Sequence, residues 1–171
     1  VFAGTDRNLA FITAAYLGQN HPGFDPEKLT QPGLGRADVW VYDSNALDSE
    51  DVNGGPLTIL NMFTDSLRAL AALPDGSRVY AAAFTSGNRT TTAQVDFNLP
   101  DYDLFEIDTT TDIPQLRRQV ASVGTGLFNM AVNASRGEIY VSNLESRNEV
   151  RFEGPGLSAT TVRGHIADTR I

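Results

Sequence analysis

Short stretches in which apolar residues alternate with polar or small ones dominate the chain, and three of them share one phrase. The phrase reads Asn8-Leu9-Ala10-Phe11-Ile12-Thr13-Ala14-Ala15, then Ser77-Arg78-Val79-Tyr80-Ala81-Ala82-Ala83-Phe84, then Gly137-Glu138-Ile139-Tyr140-Val141-Ser142-Asn143-Leu144. An alternation of period two predicts half-buried β-strands. Each phrase is followed by a second β-rich run: Val39-Trp40-Val41-Tyr42, Asp103-Leu104-Phe105-Glu106-Ile107 and Glu149-Val150-Arg151-Phe152. Recurrence of this kind marks a repeated supersecondary unit that needs its neighbours to bury its faces.

The strands sort into three sets of four. The first repeat predicts strands at Leu9 to Ala15, Asp38 to Asp43 and Leu57 to Phe63, with Val1-Phe2-Ala3-Gly4 already inside a first strand and Gly4-Thr5-Asp6-Arg7 as the turn. The second predicts Leu67 to Ala72, Arg78 to Phe84, Tyr102 to Ile107 and Gln119 to Val123. Its turn, Pro74-Asp75-Gly76-Ser77, is a hairpin signal because Pro presets φ and Gly relieves the exit. The third predicts Leu127 to Val132, Glu138 to Leu144, Glu149 to Phe152 and Thr160 to Ile166. Leu67, Leu70 and Leu73 also fit helical spacing, which would suit an α/β protein, but Pro74-Asp75-Gly76 breaks that segment.

The expected fold is therefore all-β, a β-propeller of about three four-stranded blades forming part of a larger or multi-chain ring. Residues 1–66 make the first blade, 67–126 the second and 127–166 the third, and 167–171 read as the start of a further blade. Three blades alone would leave two long exposed edges, so the expectation is either a segment of a longer polypeptide or one half of a six-bladed ring made by two chains.

Two excursions depart from this frame. One is the long loop 18–36, from Gly18 through His21 to Arg36; the other runs from Thr85 to Gln94 and includes Asn88 and Arg89. Loops that leave successive blades at the same strand position emerge on one rim, and long ones are usually functional. The candidate binding residues are accordingly His21, Arg36, Asn88, Arg89, Glu145, Arg147 and Asn148.

Composition narrows the chemistry. Thirteen Lys plus Arg against 21 Asp plus Glu give a net charge of −8, which argues against a nucleic-acid partner and otherwise favours solubility. No apolar run approaches the roughly 20 residues that cross a bilayer as a helix. With no cysteine, disulfides, thiolate metal sites and thiol nucleophiles are all excluded. His21 and His165 are the only histidines and lack metal-binding spacing. Asp101, Asp103 and Asp108 are candidate calcium ligands without the EF-hand pattern; otherwise no cofactor is expected. No nucleophile elbow, phosphate loop or dinucleotide fingerprint is present. Asn88-Arg89-Thr90 and Asn133-Ala134-Ser135 fit the glycosylation pattern.

Phe128-Asn129-Met130-Ala131-Val132-Asn133, followed by Gly137-Glu138-Ile139-Tyr140-Val141-Ser142-Asn143, resembles the YVTN-type bacterial propeller repeat, with Ser142 in place of the threonine. Pro74-Asp75-Gly76-Ser77-Arg78-Val79-Tyr80 is similar to the same element, although Ala81-Ala82-Ala83 departs from it, and the first repeat keeps only the pattern. The resemblance implies a secreted, periplasmic or cell-surface propeller that binds a protein, a surface glycan, or further copies or segments of itself. The expected function is thus a non-catalytic extracellular binding or assembly module. The alternatives are a lactonase- or lyase-type enzyme with a divalent metal in the central channel, and a structural element of a surface layer or filament.

Overall fold

The structure is a computed structural model that describes residues 1–14, 37–47, 55–85, 102–124, 126–144 and 166–170. Its elements in chain order are β1 (Phe2–Ala3), β2 (Leu9–Ala14), β3 (Ala37–Asp43), the single helical turn α1 (Ser44–Leu47), β4 (Thr58–Met62), β5 (Asp65–Ala72), β6 (Arg78–Thr85), β7 (Tyr102–Asp108), β8 (Gln115–Ala121), β9 (Leu127–Asn133), β10 (Glu138–Leu144) and β11 (Ile166–Arg170). They form three antiparallel meanders: β1-β2-β3-β4, β5-β6-β7-β8 and β9-β10-β11. The architecture is all-β, with two four-stranded sheets and a third in which three strands are described.

The three sheets stack face to face with the second in the middle. Leu9, Phe11, Val39 and Val41 of the first sheet share one core with Leu67, Val79, Ala81, Phe105 and Ile107 of the second. The second sheet's other face, through Ala69, Ala82 and Leu104, shares another core with Leu127, Ile139 and Val141 of the third. This explains the sequence of β6: a strand covered on both sides cannot alternate, and Val79, Ala81, Ala82 and Ala83 are all fully buried. The small Ala81-Ala82-Ala83 run lets both neighbouring sheets approach. In β10, by contrast, Ile139, Val141 and Asn143 are buried while Tyr140 and Ser142 are only half-buried, so the alternation survives.

Pairing register repeats from sheet to sheet. Phe11 lies opposite Val41, and Tyr80 opposite Glu106. One step along, Ile12 lies opposite Trp40 and Ala81 opposite Phe105. Phe11, Tyr80 and Tyr140 all sit on second strands, and Trp40 and Leu104 on third strands, as the sequence predicts; Val150 lies outside the described residues. A bulge recurs as well. In β5 the register shifts between Leu67 and Ala69, and in β9 it shifts between Leu127 and Asn129, so Arg68 and Phe128 are the extra residues. Both meet Phe84, Arg68 with its guanidinium 4.6 Å from the ring centroid and Phe128 edge-on at 4.8 Å.

Three elements differ from expectation. The second sheet's last strand is Gln115–Ala121 rather than Gln119 to Val123. A register shift between Glu106 and Ile107 reverses the strand's alternation, placing Leu116 with the first core and Val120 with the second. That bulge hides the period-two signal. The turn α1 had no sequence signal and follows β3 directly, with the Asn45 amide donating to Asp43 Oδ1 at 3.0 Å. Residues 166–170, expected at the junction of two blades, form β11, which pairs with β10 from Tyr140↔Arg170 to Leu144↔Ile166. The expected strands at Glu149 to Phe152 and, short of Ile166, from Thr160 lie outside the described residues.

Candidate binding rim

The stacked meanders have two distinct ends. At one end lie the hairpin turns β1–β2 and β5–β6 and the connection β7–β8, and these are tied together by backbone. The Gly4 amide donates to the Gly76 carbonyl at 3.0 Å and the Thr109 amide to the Ser77 carbonyl at 3.2 Å. The Thr109 hydroxyl donates to the Gly76 carbonyl, and the Arg7 guanidinium to the Asp112 carbonyl. Gly76 adopts φ +71°, which suits a residue without Cβ.

Short polar side chains fold back on these turns. Asp75 Oδ1 accepts from both the amide and the hydroxyl of Ser77, at 2.9 and 2.7 Å. Asp108 Oδ1 accepts from both groups of Thr110, at 2.9 and 2.6 Å. These bonds hold both carboxyls below the usual aspartate range, chiefly through the Ser77 amide for Asp75 and the Thr110 hydroxyl for Asp108. Beside them opens a shallow polar cavity of about 420 Å³ lined by Thr5, Asp6, Arg7, Asn45, Pro74 and Asp75, among others. Its polar groups are largely those that build the turns.

The opposite end carries the roots of the long connections. The segment 15–36 leaves β2 after Ala14 and returns at Ala37, and 86–101 leaves β6 after Thr85 and returns at Tyr102. The sheets' orientation puts both pairs of roots at this end: Thr64, which follows β4, donates its hydroxyl to the Tyr102 carbonyl at 3.1 Å. Buried polar residues gather under it. Asp103 is fully buried, and its Oδ2 accepts from the amides of Val123 at 2.6 Å and Gly124 at 3.2 Å. Asp38, at the matching place on β3 and equally buried, accepts from the Asn61 side chain at 2.8 Å. In the third sheet Asn143 Oδ1 accepts from the Gly126 amide at 3.2 Å.

A mixed-charge cluster stands on the second sheet's face toward the third. Glu106 is 5% exposed and meets Arg78, Arg117 and Arg118 at 3.3, 2.5 and 3.3 Å. Arg78 also reaches Asp108 at 2.9 Å. The bulge in β8 puts Arg117 and Arg118 on the same carboxylate. Burial, followed by the nearby Glu106 charge, pushes the Tyr80 hydroxyl up from its ordinary value.

Of the sequence-predicted residues, His21, Arg36, Asn88, Arg89, Asp101, Glu145, Arg147, Asn148 and His165 lie outside the described residues. Asp103 and Asp108 stand at opposite ends of β7, five residues apart and so about 17 Å in extended chain. The two cannot share one calcium ion. Among the described residues no three His, Asp or Glu side chains come together as a metal site, and no helix is long and apolar enough to cross a membrane.

The sequence analysis did not anticipate the inward placement of Asp38 and Asp103, although a signal exists. Asp38-Val39-Trp40-Val41-Tyr42-Asp43 and Asp103-Leu104-Phe105-Glu106-Ile107-Asp108 share one pattern, an aspartate at each end of an aromatic-centred strand. The first aspartate goes inside and the second opens a turn. No protein-family model, curated protein or solved structure matches the chain.

Proposed function

We propose that the chain is a non-catalytic β-propeller module of the YVTN type, working outside the cell as a binding or assembly platform, with a protein or a surface glycan as its ligand. The observation that carries this reading is the recurrence of one register through successive stacked meanders, down to the bulge at Arg68 and Phe128. Sheets that repeat in register and bury each other's faces are what blades need, and closure into a ring of four to eight is the way such stacks protect their edges. Described polar side chains support the same reading, because Glu106, Asp103, Asp108 and Asp75 are engaged in holding turns and strands.

The ligand-binding end is the one from which 15–36 and 86–101 depart. Variation in length is concentrated there, whereas the hairpin end is knitted together by its own backbone. The test is a binding screen of the chain against surface glycans and purified surface proteins, repeated with Arg36→Ala and Arg89→Ala. Both variants are expected to weaken the ligand about tenfold or more while changing stability by no more than about 0.5 kcal/mol, the outcome for side chains that serve a ligand rather than the fold. Unchanged binding in both would remove the rim as the site. Turnover of lactones that depends on added calcium and stops on chelation would replace the binding reading with the catalytic one.

A further inference from the structure

Two irregularities of the strand ladders converge on one place. Arg68 in β5 and Phe128 in β9 are each the extra residue where pairing with the next strand shifts. A bulge gives up regular pairing and re-aims a side chain. Here both aim at one ring: the Arg68 guanidinium lies 4.6 Å from the centroid of Phe84, and Phe128 meets the same ring at 4.8 Å with the planes 79° apart. Because β5 and β9 pack against one another, neighbouring sheets each contribute one member. The place is at the rim end, since Phe84 is the last residue but one of β6 and Phe128 the second of β9. Arg68 is exposed, Phe128 is 44% exposed and Phe84 is half-buried.

Charge sets Arg68 apart. The chain has 13 basic against 21 acidic residues, and Arg78, Arg117 and Arg118 all crowd onto Glu106. Arg68 meets a phenyl ring and, among the described residues, no carboxylate. A guanidinium held over an aromatic face keeps its N–H edge for a planar anion, which it takes by two parallel bonds. Beside it Phe128 offers an apolar ring to the body of whatever carries that anion. A uronate unit has both features in one small ring, a carboxylate at its edge and a C–H face that packs on a phenyl group. The exposed apolar surface here is one side chain, far short of the roughly 800 Å² that a stable protein partner covers on each side, so a charged sugar fits the site better than a protein does.

We propose that Arg68, Phe84 and Phe128 form a site for a carboxylated sugar, with the Arg68 guanidinium holding the carboxylate and Phe128 packing on the C–H face of the sugar ring. Phe84 positions the guanidinium. This rests on the binding-platform reading above and deepens it by naming an acidic surface glycan as the ligand.

Calorimetric titration with oligogalacturonate and oligomannuronate, each beside its methyl ester, tests the ion pair without altering the protein. One of the acids is expected to bind about tenfold or more tightly than its ester, as a charge-assisted pair implies. Arg68→Gln, with an unchanged melting curve, should bring acid and ester to the same affinity, and Arg68→Lys should recover only part of the difference because it lacks the paired bonds. Phe128→Leu should weaken acid and ester alike, by about threefold or more. Equal binding of acid and ester, no binding of either uronate, or full affinity in Arg68→Gln would overturn the proposal. Poly-glutamate binding as tightly as the uronates would also overturn it and assign the site to acidic peptides. A rim ligand lost in Arg36→Ala and Arg89→Ala but kept in Arg68→Gln would sink this site and leave the proposed function standing. Uronate binding lost in Arg68→Gln alone would uphold this site and take those two loop residues out of it.

Discussion

Gly76 and Gly137 provide a matched pair for measuring the seam between the first two sheets. Both occupy the second-strand hairpin turn of their sheets, and both are left-handed, at φ +71° and +64°. Replacing either with alanine imposes the same backbone penalty, about 1–2 kcal/mol for an L-residue in that region. Their surroundings differ. A Cβ at Gly137 meets nothing within 4 Å, whereas one at Gly76 falls 2.5 Å from the Gly4 carbonyl oxygen and 3.0 Å from its carbonyl carbon. The obstacle is backbone, so it cannot rotate away, and relieving it also pulls the Gly4 amide off the Gly76 carbonyl. Overpacking of this kind costs about 1–3 kcal/mol, and a lost hydrogen bond adds about 1 kcal/mol. Gly76→Ala is therefore expected to cost about 3–6 kcal/mol and Gly137→Ala about 1–2. In a chain of this size each kcal/mol lowers Tm by about 2–4 °C. Urea denaturation followed by tryptophan fluorescence suits the assay because Trp40, the single tryptophan, lies in the first sheet. If the two variants lose the same stability within about 0.5 kcal/mol, the hairpin turns do not clamp the two sheets together.

Two further outcomes follow from the carboxylates. Asp103→Ala removes a buried acceptor from the Val123 and Gly124 amides, so a loss of about 3 kcal/mol in the same denaturation assay is expected; Asp103→Asn, which keeps one acceptor oxygen, should lose less, and equal losses would mean that volume rather than hydrogen bonding matters there. Asp75 and Asp108 have folded-state pKa values held below the ordinary aspartate value of 3.8. Their contribution is complete above that value and is lost as pH falls through the lower folded values, so thermal scans between pH 5 and 2 should show a shallower acid limb in the Asp75→Asn, Asp108→Asn double variant. An acid limb as steep as the wild type's would assign acid unfolding to other groups.

The parts of the fold visible in the sequence were those in which one physical rule acted alone. β10 is covered on one side, so its alternation predicted both its ends, Glu138 and Leu144. Pro74-Asp75-Gly76-Ser77 predicted a turn because its residues meet a local backbone need. The sequence misled where two rules competed. The β8 bulge brings Arg117 and Arg118 together on Glu106 at the expense of the alternation that would have located the strand. Of the candidate site, Asp103 and Asp108 were visible as carboxylates, but nothing in their spacing said that one turns inward to hold amides while the other opens a turn. That distinction depends on strand parity, and parity becomes readable only when Asp38 and Asp43 are aligned with them.

The two ends of the molecule differ in the work their polar groups do. At the hairpin end, Asp43, Asp75 and Asp108 each accept from an amide two residues further on. Their lone pairs are thereby partly spent on the chain itself, and a ligand would have to compete with bonds closed over a few residues. At the other end, Asp38, Asp103 and Asn143 are also occupied, but beneath the surface, bracing strand ends and the connection from β8 to β9. Such internal bracing steadies the strand ends beside the roots at Ala37 and Tyr102. If the proposed binding role holds, its specificity beyond the Arg68 site resides in the segments that leave these roots, because the described polar groups beneath them are occupied in holding strand ends.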